Sequence, residues 1–342
     1  MTGKLKALIE EKGVLLADGA TGTNFFNMGL VSGDAPELWN HDAPEKVKAL
    51  HQSFVDAGSD IILTNTFGGN RHRLKLHDAQ DRVRELNRLA AQLAKEVAGS
   101  VDKTVLVAGS VGPTGELFEP LGALTHAEAV ESFKEQMIGL KEGGADVLWI
   151  ETMSAREEIQ AAAEAANKVG LEYIFTASFD TAGRTMMGIA PSELGTIAQA
   201  LPSAPTAVGA NCGVGATDLL FSILDMTGSG PTAEGGTIAV IAKANCGVPR
   251  VSGDKVIYTG TPELMADYAK LAMDAGAKII GGCCGTSAGH LQAMRAAIDK
   301  HTKGERPALD AVVAATGELV NPISQSQSQS VAGTSRRRGR RR

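Results

Sequence analysis

Three cysteines flanked by small residues have the clearest chemical potential in this sequence. Cys283 and Cys284 are adjacent in the motif GGCCG (281–285), and Cys212 lies in GANCG (209–213). Each motif follows a short apolar run typical of a β-strand, and the glycines would let a metal ion approach closely. Zinc takes four ligands, so three protein thiolates leave one position open, as in catalytic zinc sites. The cysteines therefore predict a zinc site with one open position.

These cysteines could also serve without a metal, in two ways. Single buried cysteines often act as small apolar residues, but burial accounts for three glycine-flanked thiols less well than for one. A disulfide between the adjacent Cys283 and Cys284 would be strained, and nothing in the sequence indicates an oxidising compartment.

The fourth cysteine, Cys246, leaves a further question open. It lies in the motif NCG (245–247), which repeats the NCG around Cys212. A fourth thiolate would close the zinc site and make it structural. The residues by themselves therefore allow either an open three-thiolate site or a closed four-thiolate site.

The elements that must position these residues follow a simple pattern. Short apolar runs alternate about eight times with Ala/Leu/Glu/Lys-rich segments of helical spacing. The predicted strands are Val14–Ala17, Ile61–Thr64, Val105–Ala108, Val147–Ile150, Tyr173–Ala177, Ala207–Gly209, Ile238–Ile241 and Lys278–Ile280. Strands that are apolar throughout are typical of parallel sheets buried on both faces. The pattern predicts an α/β fold, a (β/α)8 TIM barrel over residues 1–310.

Helix signals support the same fold. Pro44 at an early position predicts a helix over Ala43–Ala57, and Thr261 is the expected N-cap of a helix over Pro262–Ala275. A doubly wound sheet is the alternative. The segment 19–23 lacks the glycine spacing of a phosphate-binding fingerprint, which argues against that alternative.

Polar residues follow the predicted strands, and in a parallel barrel the carboxyl ends of the strands share the face on which active sites lie. Glu151 follows four apolar residues and is hard to explain there without a partner. Asp18 precedes a glycine and could simply cap the following segment. Glu151 is therefore the stronger candidate for ligand binding.

The composition is that of a globular protein, with 342 residues, 43% of them hydrophobic, and a formal charge of −6. This length usually indicates two domains, but single α/β barrels reach it. The first residues include Lys4, Lys6 and Glu10 without an apolar stretch, and the chain has no apolar run of about 18 residues. We expect a cytoplasmic protein without a leader or a membrane-spanning segment.

The last part of the chain has a different composition. Ser/Gln repeats (324–330) precede RRRGRRR (336–342), whose six arginines leave a charge of −12 on the rest of the chain. Too few apolar groups are present there to offset the entropy of ordering, so the sequence predicts a flexible tail over residues 311–342. A basic tail could contact nucleic acid, but because the remainder is acidic and no aromatic residues are interleaved, we expect a solvated tail.

Several motifs together resemble the homocysteine S-methyltransferase family. They are DGATGT (18–23), TNTF (64–67), GPT (112–114), NC (211–212) and GGCCG (281–285). The resemblance covers about residues 10–300 and is closest to bacterial betaine–homocysteine methyltransferases, with similarity to the homocysteine module of cobalamin-dependent methionine synthase.

The resemblance implies a Zn²⁺ barrel that methylates homocysteine to methionine, with Cys212, Cys283 and Cys284 as ligands. In the methionine synthase pattern a non-ligating residue takes the place of Cys246, which implies that Cys246 is not a ligand. The implied substrate-binding residues are Asp18, Gly19, Ala20, Thr66, Phe67, Glu151 and Asn211. Asp18 and Glu151 would pair the ammonium group of homocysteine, and the backbone amides around Gly19, Ala20, Thr66 and Phe67 would hold its carboxylate. Because a metal-bound thiol is already deprotonated, no general acid or base is expected.

The expected methyl donor is betaine or a related onium compound, which an aromatic cage would bind. The candidate aromatic residues are Phe25, Phe26, Trp39, Phe67 and Trp149, of which Trp149 is expected to lie in the core. Alternative donors are S-methylmethionine, dimethylsulfoniopropionate and a methyl-corrinoid protein acting in trans. In the last case the chain would be a homocysteine-binding subunit, with the Arg-rich tail as a docking arm. The oligomeric state is not predicted.

Overall fold

The computed structural model describes residues 3–252 and 255–321. Its strands are β1 (Leu15–Leu16), β2 (Ile61–Leu63), β3 (Leu106–Val111), β4 (Val147–Met153), β5 (Tyr173–Ala177), β6 (Ala207–Cys212), β7 (Ala239–Ala244), β8 (Pro249–Ser252), β9 (Lys255–Tyr258) and β10 (Ile279–Gly282). The antiparallel hairpin β8–β9 stands apart, and the other eight strands form one sheet in the spatial order β1-β10-β7-β6-β5-β4-β3-β2. A parallel bridge between Ala17 and Ile61 joins β1 to β2 and closes the sheet. The predicted (β/α)8 barrel is confirmed, and the doubly wound alternative is excluded.

Helices follow the strands and pack around the barrel. They are α1 (Lys4–Lys12), α2 (Gly22–Asn27), α3 (Trp39–Asp42), α4 (Pro44–Asp56), α5 (Arg71–Leu74), α6 (Val83–Ala98), α7 (His126–Glu142), α8 (Arg156–Val169), α9 (Leu194–Gln199), α10 (Ala216–Thr227), α11 (Pro262–Asp274), α12 (Ala288–Lys300) and α13 (Leu309–Thr316). The two helices predicted in detail are α4 and α11, each within one residue of the predicted ends. Thr261 caps α11, since its hydroxyl accepts a hydrogen bond from the Leu264 amide at 3.2 Å. None of the described helices is both long and apolar enough to cross a lipid bilayer.

Several barrel strands extend beyond the ends predicted for them. The prediction stops β4 at Ile150, β6 at Gly209 and β7 at Ile241, because the next residues are polar or small. In the structure the parallel ladder continues, and β6 pairs with β7 as far as Cys212. The polar and small residues that follow each predicted apolar strand are therefore part of the barrel strands themselves.

The amino-terminal end of the barrel is filled. Leu5 and Leu8 of α1 are buried against an interior cluster that includes Trp149, whose indole N–H donates to the Thr176 hydroxyl at 3.2 Å. The Asp60 carboxylate secures this end by accepting the Leu16 amide at 2.9 Å and pairing with Lys12 at 2.7 Å. Trp149 thus lies in the core as predicted, and the carboxyl end of the barrel is left for a ligand.

The prediction of a flexible tail from residue 311 is wrong for its first part. Residues 309–316 form α13, in which Val312 is fully buried. The Thr217 hydroxyl hydrogen-bonds Thr316 at 2.9 Å, and the Asp218 carboxylate accepts the amides of Val320 and Asn321 at 2.9 Å each. The composition of the Ser/Gln and Arg segments concealed this short apolar helix. Residues 322–342, with the rest of the predicted tail, lie outside the described residues.

We expect the packing of α13 to contribute to stability. Val312→Ala removes buried methyl groups and should cost about 2 kcal/mol of unfolding free energy, which corresponds to a melting temperature lower by about 4 °C. The matched control is Val320→Ala, because Val320 is half exposed, and deletion of residues 323–342 should likewise leave melting unchanged. Equal melting of the Val312 variant and wild type would show that α13 is not part of the stable core.

Candidate functional site

The structure brings Cys212, Cys283 and Cys284 together at the carboxyl end of the barrel. Their sulfur atoms all lie within 4.8 Å of one another. Tetrahedral zinc with bonds of about 2.3 Å needs sulfurs about 3.8 Å apart, so the cluster fits a metal ion with small adjustments. Backbone hydrogen bonds fix the pair after β10, because the Cys283 amide donates to the Ala244 carbonyl at 2.6 Å and the Cys284 amide to the Asn245 side chain at 3.0 Å.

Cys246 lies outside this cluster. Its thiol is buried and donates to the Gly260 carbonyl at 3.3 Å. The described residues thus offer a group of three thiols rather than four. This arrangement favours the open site over the closed one.

Backbone strain is concentrated beside the cysteines. Cys212 and Thr152 both have φ near +62°, a region that residues with a Cβ rarely adopt and that costs of order 1–3 kcal/mol each. The Asn211 side chain holds this geometry, since its oxygen accepts the Thr152 amide at 2.9 Å and its nitrogen donates to the Thr152 hydroxyl at 2.7 Å. The same nitrogen is 4.0 Å from the Cys283 sulfur. Asn211 therefore acts as a clamp between β4 and β6 at the metal-binding end.

The three neighbouring thiols shift one another's pKa values. Interactions with Cys212 and Cys283 lower the pKa of the Cys284 thiol well below its usual value, and interactions with Cys283 and Cys284 raise the pKa of the Cys212 thiol. Cys284 is therefore the first of the three to ionise.

A cavity of about 590 Å³ opens beside the cysteines. Among its lining residues are Gly19, Ala20, Thr66, Phe67, Glu151, Cys212, Cys283 and Cys284, all of which the sequence predicts for the site. Two predicted residues, Asp18 and Asn211, are adjacent to the cavity but are not among its lining residues. The structure thus gathers most of the predicted site around one space.

A buried lysine, Lys243, also lines this cavity and was not predicted from the sequence. Its ammonium group donates to the Gly282 carbonyl at 2.6 Å and lies 3.4 Å from both the Gly19 carbonyl and the Asp18 carboxylate. Burial alone would lower the pKa of Lys243, but the negative charges of Asp18, Cys283 and Glu151 outweigh burial and raise it. Lys243 is therefore a permanent cation. The sequence signal that could have revealed it is a charged residue at the end of the apolar strand β7.

The two predicted acids differ in their surroundings. The Asp18 carboxylate accepts the Leu63 amide at 2.7 Å and faces Lys243, whereas Glu151 accepts a hydrogen bond from the Ser110 hydroxyl. Burial raises the pKa of Asp18 to about 6, although Lys243 opposes the shift. Burial raises the pKa of Glu151 to about 7. Glu151 is thus the acid that lines the cavity, and its ionised form would be stabilised more than that of Asp18 by a cationic ligand.

Of the backbone amides predicted to hold a carboxylate, two are already used. The Ala20 amide donates to the Thr286 carbonyl at 3.0 Å and the Thr66 amide to the Thr64 carbonyl at 2.9 Å. Within the described part of the chain, the amides of Gly19 and Phe67 donate to no protein acceptor. Of the four amides predicted to bind a carboxylate, those of Gly19 and Phe67 are therefore the remaining candidates.

The outer part of the cavity combines aromatic and charged groups. Phe26 and Phe67 line it with about half of each side chain exposed, and the buried Glu37 accepts the Gly68 amide at 2.7 Å. The side chains of Arg73 and His77 also line this part. Of the aromatic residues proposed for a cage, Phe26 and Phe67 reach this space. Trp39 instead packs against Phe25, with ring centroids 5.0 Å apart.

Fold and site together define a (β/α)8-barrel protein whose cavity ends at a cluster of three thiols. Residues 15–298 match the family model for homocysteine S-methyltransferase. The chain therefore belongs to the homocysteine S-methyltransferase family.

Curated relatives include the methionine synthases of Mycobacterium tuberculosis and Mycobacterium leprae, which are 28% and 27% identical over 86% of this chain. The chain spans about 25% of the length of each. Among solved structures, the oxidised and metallated forms of the Escherichia coli homocysteine methyltransferase MmuM share the fold, with TM-scores of 0.69 and 0.68 at 23% identity. These matches cover 86% and 85% of this chain and 99% of each E. coli chain.

Metal analysis of single variants should distinguish the three clustered thiols from Cys246. We expect about one zinc per chain in the wild type and in Cys246→Ala, because the Cys246 sulfur lies outside the cluster. Cys283→Ala should lose most of its zinc, since two thiolates do not make a structural or catalytic zinc site. Loss of zinc from Cys246→Ala to the same extent would contradict the open site.

Proposed function

We propose that this protein is a zinc-dependent S-methyltransferase that transfers a methyl group from an onium donor, with betaine as the first candidate, to homocysteine. The products would be methionine and, from betaine, dimethylglycine. The observation that carries the proposal is the three-thiol cluster at the end of a cavity that also contains Glu151. Reduced thiols of this kind suit the cytoplasm, which is where we place the enzyme.

The donor set suits zinc, since thiolates are ligands that zinc prefers and Sγ spacings below 4.8 Å allow a tetrahedral site. Bound zinc would supply an open position at which the homocysteine sulfur is held as a thiolate. Methyl transfer would form a bond between the homocysteine sulfur and the donor methyl carbon as the donor N–C bond breaks, the thiol proton having been released to solvent when the thiolate forms. The electron pair of the broken bond leaves with the neutral amine, and no protein acid or base is required.

Glu151 is the group that would bind the ammonium of homocysteine. Its carboxylate faces the cavity with one hydrogen bond from Ser110, whereas Asp18 is engaged by Leu63 and Lys243. The unused amides of Gly19 and Phe67 would hold the substrate carboxylate. Asp18 and Asn211 would then support the site by positioning Lys243 and Thr152.

The outer cavity suits a small zwitterionic donor. The rings of Phe26 and Phe67 can face a methylated cation, an interaction of about 0.5–2 kcal/mol per ring, and the Glu37 carboxylate adds negative charge nearby. Arg73 in the same part of the cavity can pair a donor carboxylate. Betaine carries both groups, so it is the donor we propose first.

A protein-bound methyl-corrinoid is the second candidate, because the methionine synthases that this chain resembles are about four times as long as the shared region. The segment DKHTKG (299–304) has the D-x-H-x-x-G spacing of cobalamin-binding segments. Here its first two residues are the last two of α12, and His301 hydrogen-bonds the Asp274 carboxylate at 2.8 Å. We therefore expect any corrinoid to be carried by another protein.

Turnover assays with purified zinc-loaded protein would test this proposal. Homocysteine should be converted to methionine with betaine, or with S-methylmethionine or dimethylsulfoniopropionate, in the absence of other proteins. Activity that requires a methyl-corrinoid protein would favour the second candidate. No methionine from any of these donors would contradict the proposed function.

Glu151→Gln should weaken homocysteine binding without loss of zinc. The variant keeps the shape of the side chain but removes its charge, and a charge-assisted hydrogen bond contributes about 1.5–3 kcal/mol, or about 10- to 150-fold in affinity. Calorimetric titration with homocysteine and metal analysis of the same sample would measure both quantities. Glu37→Gln is the matched control and should keep homocysteine affinity, because Glu37 lies in the outer part of the cavity. If Glu151→Gln binds homocysteine as tightly as the wild type, Glu151 does not bind the ammonium group and its role is structural.

A further inference from the structure

Lys243 stands out among the charged residues of the site because it is 3% exposed and yet lines the substrate cavity. Burial of a lysine is costly unless its charge has partners. Its ammonium donates to the Gly282 carbonyl at 2.6 Å and the Gly19 carbonyl at 3.4 Å, and it forms an ion pair at 3.4 Å with the Asp18 carboxylate. Lys243 therefore places a buried positive charge at the wall of the cavity.

The charge has a defined place relative to the cysteines. The Lys243 ammonium is hydrogen-bonded to Gly282, the residue that precedes Cys283, and β7 and β10 are paired at Lys243 and Gly281. Lys243 thus lies beside the thiol cluster, on the wall between that cluster and Asp18. The ionisable groups around it are the Asp18 and Glu151 carboxyl groups and the Cys283 thiol.

The net charge of the metal–thiolate cluster would differ between the bound substrate and the product. Three thiolates around a divalent metal carry one net negative charge, and a fourth thiolate from a substrate adds a second in a buried space. Methylation converts that sulfur to a neutral thioether, so the added charge disappears in the product. A fixed cation beside the sulfurs favours the bound thiolate over the thioether product, because Coulomb interactions are strong where water is excluded.

We propose that Lys243 is the counter-charge that makes the site bind its substrate sulfur as an anion, so that homocysteine is held in preference to methionine. This inference rests on the proposed function, since it assumes that homocysteine sulfur joins the thiol cluster. Lys243 is then a specificity-determining residue, because its charge distinguishes a thiolate from a thioether. Loss of the charge on methyl transfer promotes product release.

The test compares two ligands that share the amino acid group and differ at sulfur. Lys243→Met retains an unbranched side chain of similar length and removes the charge. In zinc-loaded protein we expect the homocysteine Kd to rise at least 10-fold, while the methionine Kd changes less than threefold. Calorimetric titration measures both constants, and zinc content is checked on the same samples.

Three further variants complete the design. Lys243→Arg keeps a cation and should keep the homocysteine-to-methionine preference within about threefold. Lys243→Met combined with Asp18→Asn removes both charges of the buried pair, and it carries the test if the single variant fails to fold. Lys141→Met is the matched control, because Lys141 donates to the Val169 carbonyl on the outer helix layer and should not affect either ligand.

The results separate this inference from the proposed function. Equal weakening of both ligands in Lys243→Met, or no weakening of homocysteine, would overturn the counter-charge role while leaving the methyltransferase intact. Failure of wild-type protein to bind homocysteine would overturn the proposed function, and the role of Lys243 would fall with it.

Discussion

The site depends on the electrostatic interaction between several buried acidic groups and the cations that compensate them. Three thiols lie beside the Glu151 and Asp18 carboxylates, and burial raises the pKa of these acids to about 7 and about 6. Such a group is unstable without compensating cations, because desolvated charges of one sign repel strongly. Lys243 is the cation that the protein itself supplies, and a divalent metal and the ammonium of a substrate would complete the compensation.

Precise placement of the sulfurs comes at the cost of backbone strain. Cys212 on β6 and Thr152 on β4 adopt left-handed conformations, and β5 lies between these two strands in the sheet. The Asn211 side chain, next to Cys212, joins the two strands through paired hydrogen bonds with Thr152. Strain of this kind persists where the surrounding structure over-determines it.

The fold and the thiol cluster could be predicted from the sequence because their signals are local. Apolar strands and glycine-flanked cysteines can each be recognised within a few residues. Lys243 was missed because the strand prediction stopped at Ile241, and only the closed sheet shows that β7 continues past the lysine. The pairing of Asn211 with Thr152 links β6 to β4 and has no signature in either segment. The helix α13 was hidden by the composition of the residues that follow it.

The most direct test of the central claim is X-ray absorption spectroscopy at the zinc edge, on wild-type protein with and without homocysteine. We predict three sulfur ligands at about 2.3 Å in the protein alone, and four when homocysteine is added. Four sulfur ligands without homocysteine would show a closed structural site. A count that stays at three after saturation with homocysteine would show that the substrate sulfur does not join the three cysteines.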